Sequence, residues 1–101
     1  MKTDIIISTY GDRVRLLEKF EFKKLKDVQY IIIHQCLNRD EIWDYHLIER
    51  DDIAYYTYFE VGLAKSRNHG LTLSHADIVL FQVGVNRKLR CKRSVSYTHL
   101  T

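Results

Sequence analysis

Asp4-Ile5-Ile6-Ile7-Ser8 opens the chain with three β-branched apolar residues in a row and no polar residue between them. A strand with one wet face alternates apolar and polar positions. An unbroken run therefore points to a strand covered on both faces, as in a parallel sheet. The same signature returns in Val28-Gln29-Tyr30-Ile31-Ile32-Ile33-His34-Gln35 and in Ala76-Asp77-Ile78-Val79-Leu80-Phe81, read as a second and a fourth buried strand. Asp52-Ile53-Ala54-Tyr55-Tyr56-Thr57-Tyr58 reads as a third strand, more polar and so nearer an edge.

The segments between these runs carry a different period. Thr9-Tyr10-Gly11-Asp12 breaks the first strand with turn chemistry, and Asp12 is a candidate helix cap. Val14, Leu16, Leu17 and Phe20 then recur at helical spacing, with charged residues between them. Lys23, Lys24 and Lys26 fall at or beyond the end of that helix, where cations favour the exposed carbonyls. After the second strand, Asn38-Arg39-Asp40-Glu41 leads to Ile42, Trp43, Tyr45, Leu47 and Ile48, a pattern that fits a short helix or a loop. Val61 to Leu73 reads as a crossover helix with Leu63, Arg67 and Leu71 on one face, weakened by Gly70. Strand, helix, strand, undecided element, strand, helix, strand is the alternation of a parallel α/β sheet in three layers. Ligands in such sheets bind beyond the carboxyl ends of the strands. Ser8 to Tyr10, His34 to Gln35 and whatever follows Phe81 are thus the places to look for function.

The 101 residues set a ceiling of one domain, and 46% hydrophobic with 29% charged residues is an ordinary globular balance. No run approaches the roughly 18 apolar residues of a membrane span. The three-residue apolar run near the N-terminus is far shorter than the core of a signal peptide. The expected location is the cytoplasm, with the inner membrane periphery as a second expectation. The net charge of +3 conceals an asymmetry. Residues 1–82 hold eleven Lys/Arg against thirteen Asp/Glu, whereas residues 83–101 hold five Lys/Arg and no acid. The body therefore offers no basic footprint for nucleic acid. Cys36 and Cys91 form no CxxC, and Cys36 reads as a small buried apolar residue. The five histidines show no HExxH or zinc spacing, and no phosphate loop, GxGxxG or GxSxG is present. Asp51-Asp52 precedes a strand and reads as a solvated turn.

Three stretches, in order, resemble the family 2 glycosyltransferases, which have the GT-A fold, a Rossmann-like α/β arrangement. They are Ile5-Ile6-Ile7-Ser8-Thr9-Tyr10 with Asp12-Arg13, Gly62-Leu63-Ala64-Lys65-Ser66-Arg67-Asn68-His69-Gly70-Leu71, similar to that family's GL..SRN.G helix, and Ala76 to Phe81. The resemblance covers roughly residues 3–82. It implies an α/β parallel-sheet half of a GT-A domain, holding a nucleotide-diphosphate sugar for transfer to a glycan or lipid-linked acceptor, in cell-surface polysaccharide or glycoconjugate synthesis. Thr9 and Tyr10 match the turn that holds base and ribose, Ser8 before them is counted with the nucleotide-sugar-binding residues, and Tyr10 offers a stacking face. His34-Gln35 stands where the family usually places a base-binding aspartate, and the glutamine offers a donor and an acceptor to a base edge. Arg67 matches the family's arginine near the nucleotide, where its donor fork suits phosphate oxygens; an ion pair with Glu60 or Asp77 is the plainer expectation for it. The resemblance also implies a divalent metal, Mg or Mn, held by a DxD-type motif after Phe81. This sequence has Gln82-Val83-Gly84-Val85 there and no acid through Thr101.

Residues 1–82 are accordingly read as the N-terminal nucleotide-sugar-binding half of such an enzyme. Residues 83–101 are read as a basic tail, aberrant or out of frame, whose close Val95-Ser96-Tyr97-Thr98-His99-Leu100-Thr101 resembles translated adapter sequence. On that reading the chain transfers no sugar by itself, and no residue is assigned a catalytic role. Two other readings are a flavodoxin-like or receiver-like α/β binding module, and an interaction protein whose tail meets RNA.

Overall fold

A computed structural model of the chain describes residues 1–44 and 49–83. Four strands, β1 (Thr3–Tyr10), β2 (Val28–Gln35), β3 (Ile53–Tyr58) and β4 (Ile78–Val83), form one sheet in the order β3-β2-β1-β4. Every pairing is parallel, with Thr3 opposite both Val28 and Ile78, and Tyr30 opposite Ile53. The isoleucine runs are the cause. Each strand alternates its side chains between two faces, and both faces of the central pair are covered.

On one face Ile5, Ile7, Tyr30, Ile32 and Ile53 pack with Val14, Leu17, Phe22 and Trp43. On the other Ile6, Ile31, Ile33 and Val79 pack with Leu71, Leu73, Tyr58 and Phe81. Ile5, Ile6, Ile7, Ile31, Ile32 and Ile33 are each no more than 3% exposed. Burial of each such side chain contributes about 1.5–3 kcal/mol. The layers are thus the segment after β1, the sheet, and helix α1 (Leu63–Leu73).

Several local expectations change. The helix after β1 is a 3-10 helix, Gly11–Lys19, not an α-helix. Its buried residues Gly11, Val14 and Leu17 stand three apart, the period of that tighter helix, and Leu16 faces outward at 45% exposure. Asp12 does not cap it. The capping position is Tyr10, without a side-chain bond, and Asp12 lies inside the first turn. The undecided element contains a short 3-10 turn, Arg39–Glu41, while Tyr45, Leu47 and Ile48 lie outside the described residues.

Helix α1 packs Leu71 and Leu73 against the sheet, but its most buried positions are not leucines. Ser66 and Gly70 are buried and Leu63 is 45% exposed. A Cβ on Gly70 would lie 2.6 Å from Cγ2 and 2.7 Å from Cδ1 of Ile6. The glycine that weakens the helix in isolation is therefore what lets it approach β1. β4 begins at Ile78 rather than Ala76 and runs through Val83, two residues beyond the expected end. It is also less buried than its apolar run implied: Ile78, Leu80 and Phe81 are half-buried because β4 is an outer strand. β3 takes the other outer position, as its polarity suggested.

Asp51 is solvated, but Asp52 is not. Arg50 donates to both of its carboxylate oxygens, at 2.9 and 2.6 Å, and to the Phe22 carbonyl at 2.8 Å. Cys36 is fully buried, as expected. Among the described residues no helix is long and apolar enough to cross a membrane. Residues 84–101, with Cys91, lie outside the description.

Candidate functional site

β1, β2 and β3 end in register. Tyr10 stands opposite Gln35, and Gln35 opposite Tyr58. Residues opposite one another in a sheet share a face, so these three side chains form a row on the face that α1 covers. Neighbouring strands are about 4.8 Å apart, which sets the outer Cα atoms of the row about 10 Å apart. Tyr10 is 37% exposed, and Gln35 is buried at 5%.

Helix α1 begins over this row. Gly62 precedes it at φ 132°, ψ 124°, backbone that side-chain-bearing residues rarely adopt. Its carbonyl accepts from Ser66 N at 3.1 Å and from Gln35 Nε2 at 2.9 Å. Because a carbonyl only accepts, the Gln35 amide is oriented with its nitrogen toward Gly62. One turn on, the fully buried Ser66 donates from Oγ to Ser8 Oγ at 2.7 Å. Ser66 therefore holds the helix against the end of β1.

Arg67 leans toward the outer strand, its guanidinium 5.4 Å above the Phe81 ring. It makes no ion pair with Glu60 or Asp77. Glu60 instead pairs with His69, and Asp77 accepts from the backbone nitrogen of Lys2. Arg67 Nε is buried without a hydrogen-bond partner among the described residues.

The sheet divides the residues singled out in the sequence. Ser8, Tyr10, Gln35 and Arg67 share the α1 side. Thr9 alternates to the opposite face beside His34 and is 8% exposed. His34 does not reach solvent either. Nε2 donates to the Gly11 carbonyl at 2.8 Å, which leaves Nδ1 to accept from the Tyr55 hydroxyl at 2.6 Å. Tyr55 in turn accepts from Trp43 N at 2.9 Å. Burial holds the His34 imidazole below its ordinary pKa, and the Gly11 carbonyl opposes that shift. Burial likewise pushes up the Cys36 thiol, whose sulfur lies 3.4 Å from both His34 nitrogens. Thr9 and His34 are thus parts of the fold, and Gly62, Ser66 and Tyr58 join the site in their place. Alternation along β1 was the signal that separates Thr9 from its neighbours. Ser66 and Gly70, small residues four apart, mark the inward face of α1.

Gln82, one residue before the end of β4, stands opposite Ile7 on the face away from α1 and is 2% exposed. Among the described residues no group of three or more His, Cys, Asp or Glu could hold a metal ion. The donor set after Phe81 does not fit the divalent metal that the glycosyltransferase resemblance implies, since Gln82 is a buried amide and no acid follows it. Comparison of the chain with family models, with curated proteins and with solved structures returned no match.

Proposed function

We propose that the chain binds the nucleotide part of a nucleotide-diphosphate sugar at the carboxyl end of its sheet, as the donor-binding half of a family 2-like, GT-A-type glycosyltransferase. The row Tyr10, Gln35, Tyr58 carries this reading: an amide between two aromatic rings, at the end of a parallel sheet where such folds bind ligands. Tyr10 supplies an exposed ring for the base, a stack worth about 1–3 kcal/mol. Gln35 supplies a hydrogen-bonding edge whose orientation Gly62 fixes. Ser8 and Arg67 flank the gap between β1 and β4, where the strand order reverses, and Arg67 would meet the phosphates. Thr9 contributes backbone alone.

The sheet order β3-β2-β1-β4 follows the first four strands of the dinucleotide-binding type. Flavodoxin-like and receiver-like sheets run 2-1-3-4-5, which weighs against that alternative. The acceptor in this reading is a glycan or lipid-linked glycan at the inner membrane surface, and no described residue is assigned to it. The reading is of nucleotide binding alone. Titrating the full chain with uridine or guanosine diphosphate should move the amide resonances of Tyr10, Gln35 and Arg67 saturably. A folded chain whose spectra ignore both nucleotides, or that takes up flavin mononucleotide instead, overturns the reading.

A further inference from the structure

The row's third member is already covered by a side chain that the nucleotide reading does not use, and that side chain is bonded to a second. His69, the seventh residue of α1, lies flat on the Tyr58 ring with centroids 3.7 Å apart and planes 7° apart. Its Nε2 donates to Glu60 Oε2 at 2.6 Å. The two side chains are only 32% and 27% exposed, so water competes weakly for the bond.

Between Tyr58 and the first residue of α1 runs a four-residue connection, Phe59 to Gly62. Phe59 and Val61 are each 57% exposed and anchor it poorly. Conformational entropy opposes holding such a segment in one shape, most of all at a glycine. Yet Gly62 is held at φ 132° with its carbonyl on the Gln35 amide.

We propose that the Glu60–His69 pair, seated on Tyr58, is a clasp that fixes the β3–α1 connection and through it the orientation of the Gln35 amide. Glu60 and His69 are then positioning residues for the cleft, a role that rests on the nucleotide reading for its effect on affinity. The clasp works from both ends of the connection. Glu60 is drawn back onto the helix, the stack keeps His69 over the end of β3, and Gly62 is left one geometry in which to meet Gln35.

Hydrogen exchange and side-chain amide spectra of the full chain test this. His69→Ala should speed exchange at Val61, Gly62 and Leu63 about tenfold, the scale of one lost charge-assisted bond. Strand amides of β1 and β2 should stay unchanged, and the Gln35 side-chain resonances should move toward free-amide positions. His69→Phe keeps a ring on Tyr58 without the N–H, and should give the same changes at smaller amplitude even if the alanine variant unfolds. Uridine or guanosine diphosphate affinity should fall about tenfold alongside. Unchanged exchange in the connection and an unmoved Gln35 amide in the phenylalanine variant overturn the clasp. A connection that loosens in a chain whose parent binds neither nucleotide supports the clasp and removes the nucleotide reading.

Discussion

His34 donates from Nε2 to the carbonyl oxygen of Gly11 across 2.8 Å, tying the left-handed turn after β1 (φ 58° at Gly11) to the end of β2. Burial lowers the pKa of this imidazole from its ordinary 6.5. The unfolded chain therefore takes up the proton first. The contribution to stability is complete above 6.5 and is lost as pH falls below it. Urea denaturation should show the parent losing stability between pH 7.5 and pH 5.5, and His34→Leu losing less over the same interval. At pH 7.5 the variant should itself be weaker by about 1–3 kcal/mol, because Gly11 and Tyr55 lose a buried partner. Equal pH slopes in the two chains would contradict this assignment.

Gly70→Ala sets two effects against each other. Alanine gains about 0.8–1.0 kcal/mol of helix propensity over glycine. Its Cβ would meet buried Ile6 at 2.6 Å, and overpacking of that kind costs about 1–3 kcal/mol. The clash should win, lowering stability by up to about 2 kcal/mol in denaturant titration. Adding Ile6→Val, which removes the clashing Cδ1, should recover part of the loss.

Arg50→Met should destabilise by about 1.5–3 kcal/mol, the worth of hydrogen bonds to a charged group. It leaves the mostly buried Asp52 carboxylate and the Phe22 carbonyl without the donors that Arg50 supplies. The hydrogen bonds from Arg50 hold the Asp52 carboxyl below its ordinary pKa of 3.8. In the parent this stabilisation is present above that value and lost as pH falls through the lowered one. Acid titration of the Asp52 carboxyl carbon by NMR should show its midpoint rising in the variant.

Tyr10→Ala separates binding from folding. The ring is 37% exposed and the residue lies at the last position of β1, so stability should change by no more than about 0.5 kcal/mol. Nucleotide diphosphate affinity should fall about tenfold or more, in keeping with a lost base stack. Calorimetry on the two chains gives both numbers, and an unchanged affinity would remove Tyr10 from the site.

The sheet was legible because Ile5–Ile7 and Ile31–Ile33 leave no wet face. The bounds of β2 coincide with those read from its sequence, and all four strands are parallel. The 3-10 helix was misread because Leu16 completes an apparent α-helical pattern that its exposure belies. The inward face of α1 was legible only in part: Leu71 packs on the sheet, but the most buried positions are Ser66 and Gly70, which carry no apolar signal. Contact there follows from close backbone approach, a tertiary property. At the candidate site, strand ends and the family resemblance singled out Ser8, Tyr10 and Gln35 together with Thr9 and His34, which alternation turns to the other face. Tyr58 joins them through register, which pairing decides and composition does not.

β4 docks beside β1, although everything else described in the sheet lies between them in the chain. During synthesis β1 leaves the ribosome first, and one of its edges has no neighbour until residues 78–83 follow. At about 5–20 residues per second that wait is roughly 4–15 s. A strand with three consecutive isoleucines thus spends the longest time half-paired, and a nascent chain stalled before Ile78 is the form most prone to capture by chaperones or by its own copies.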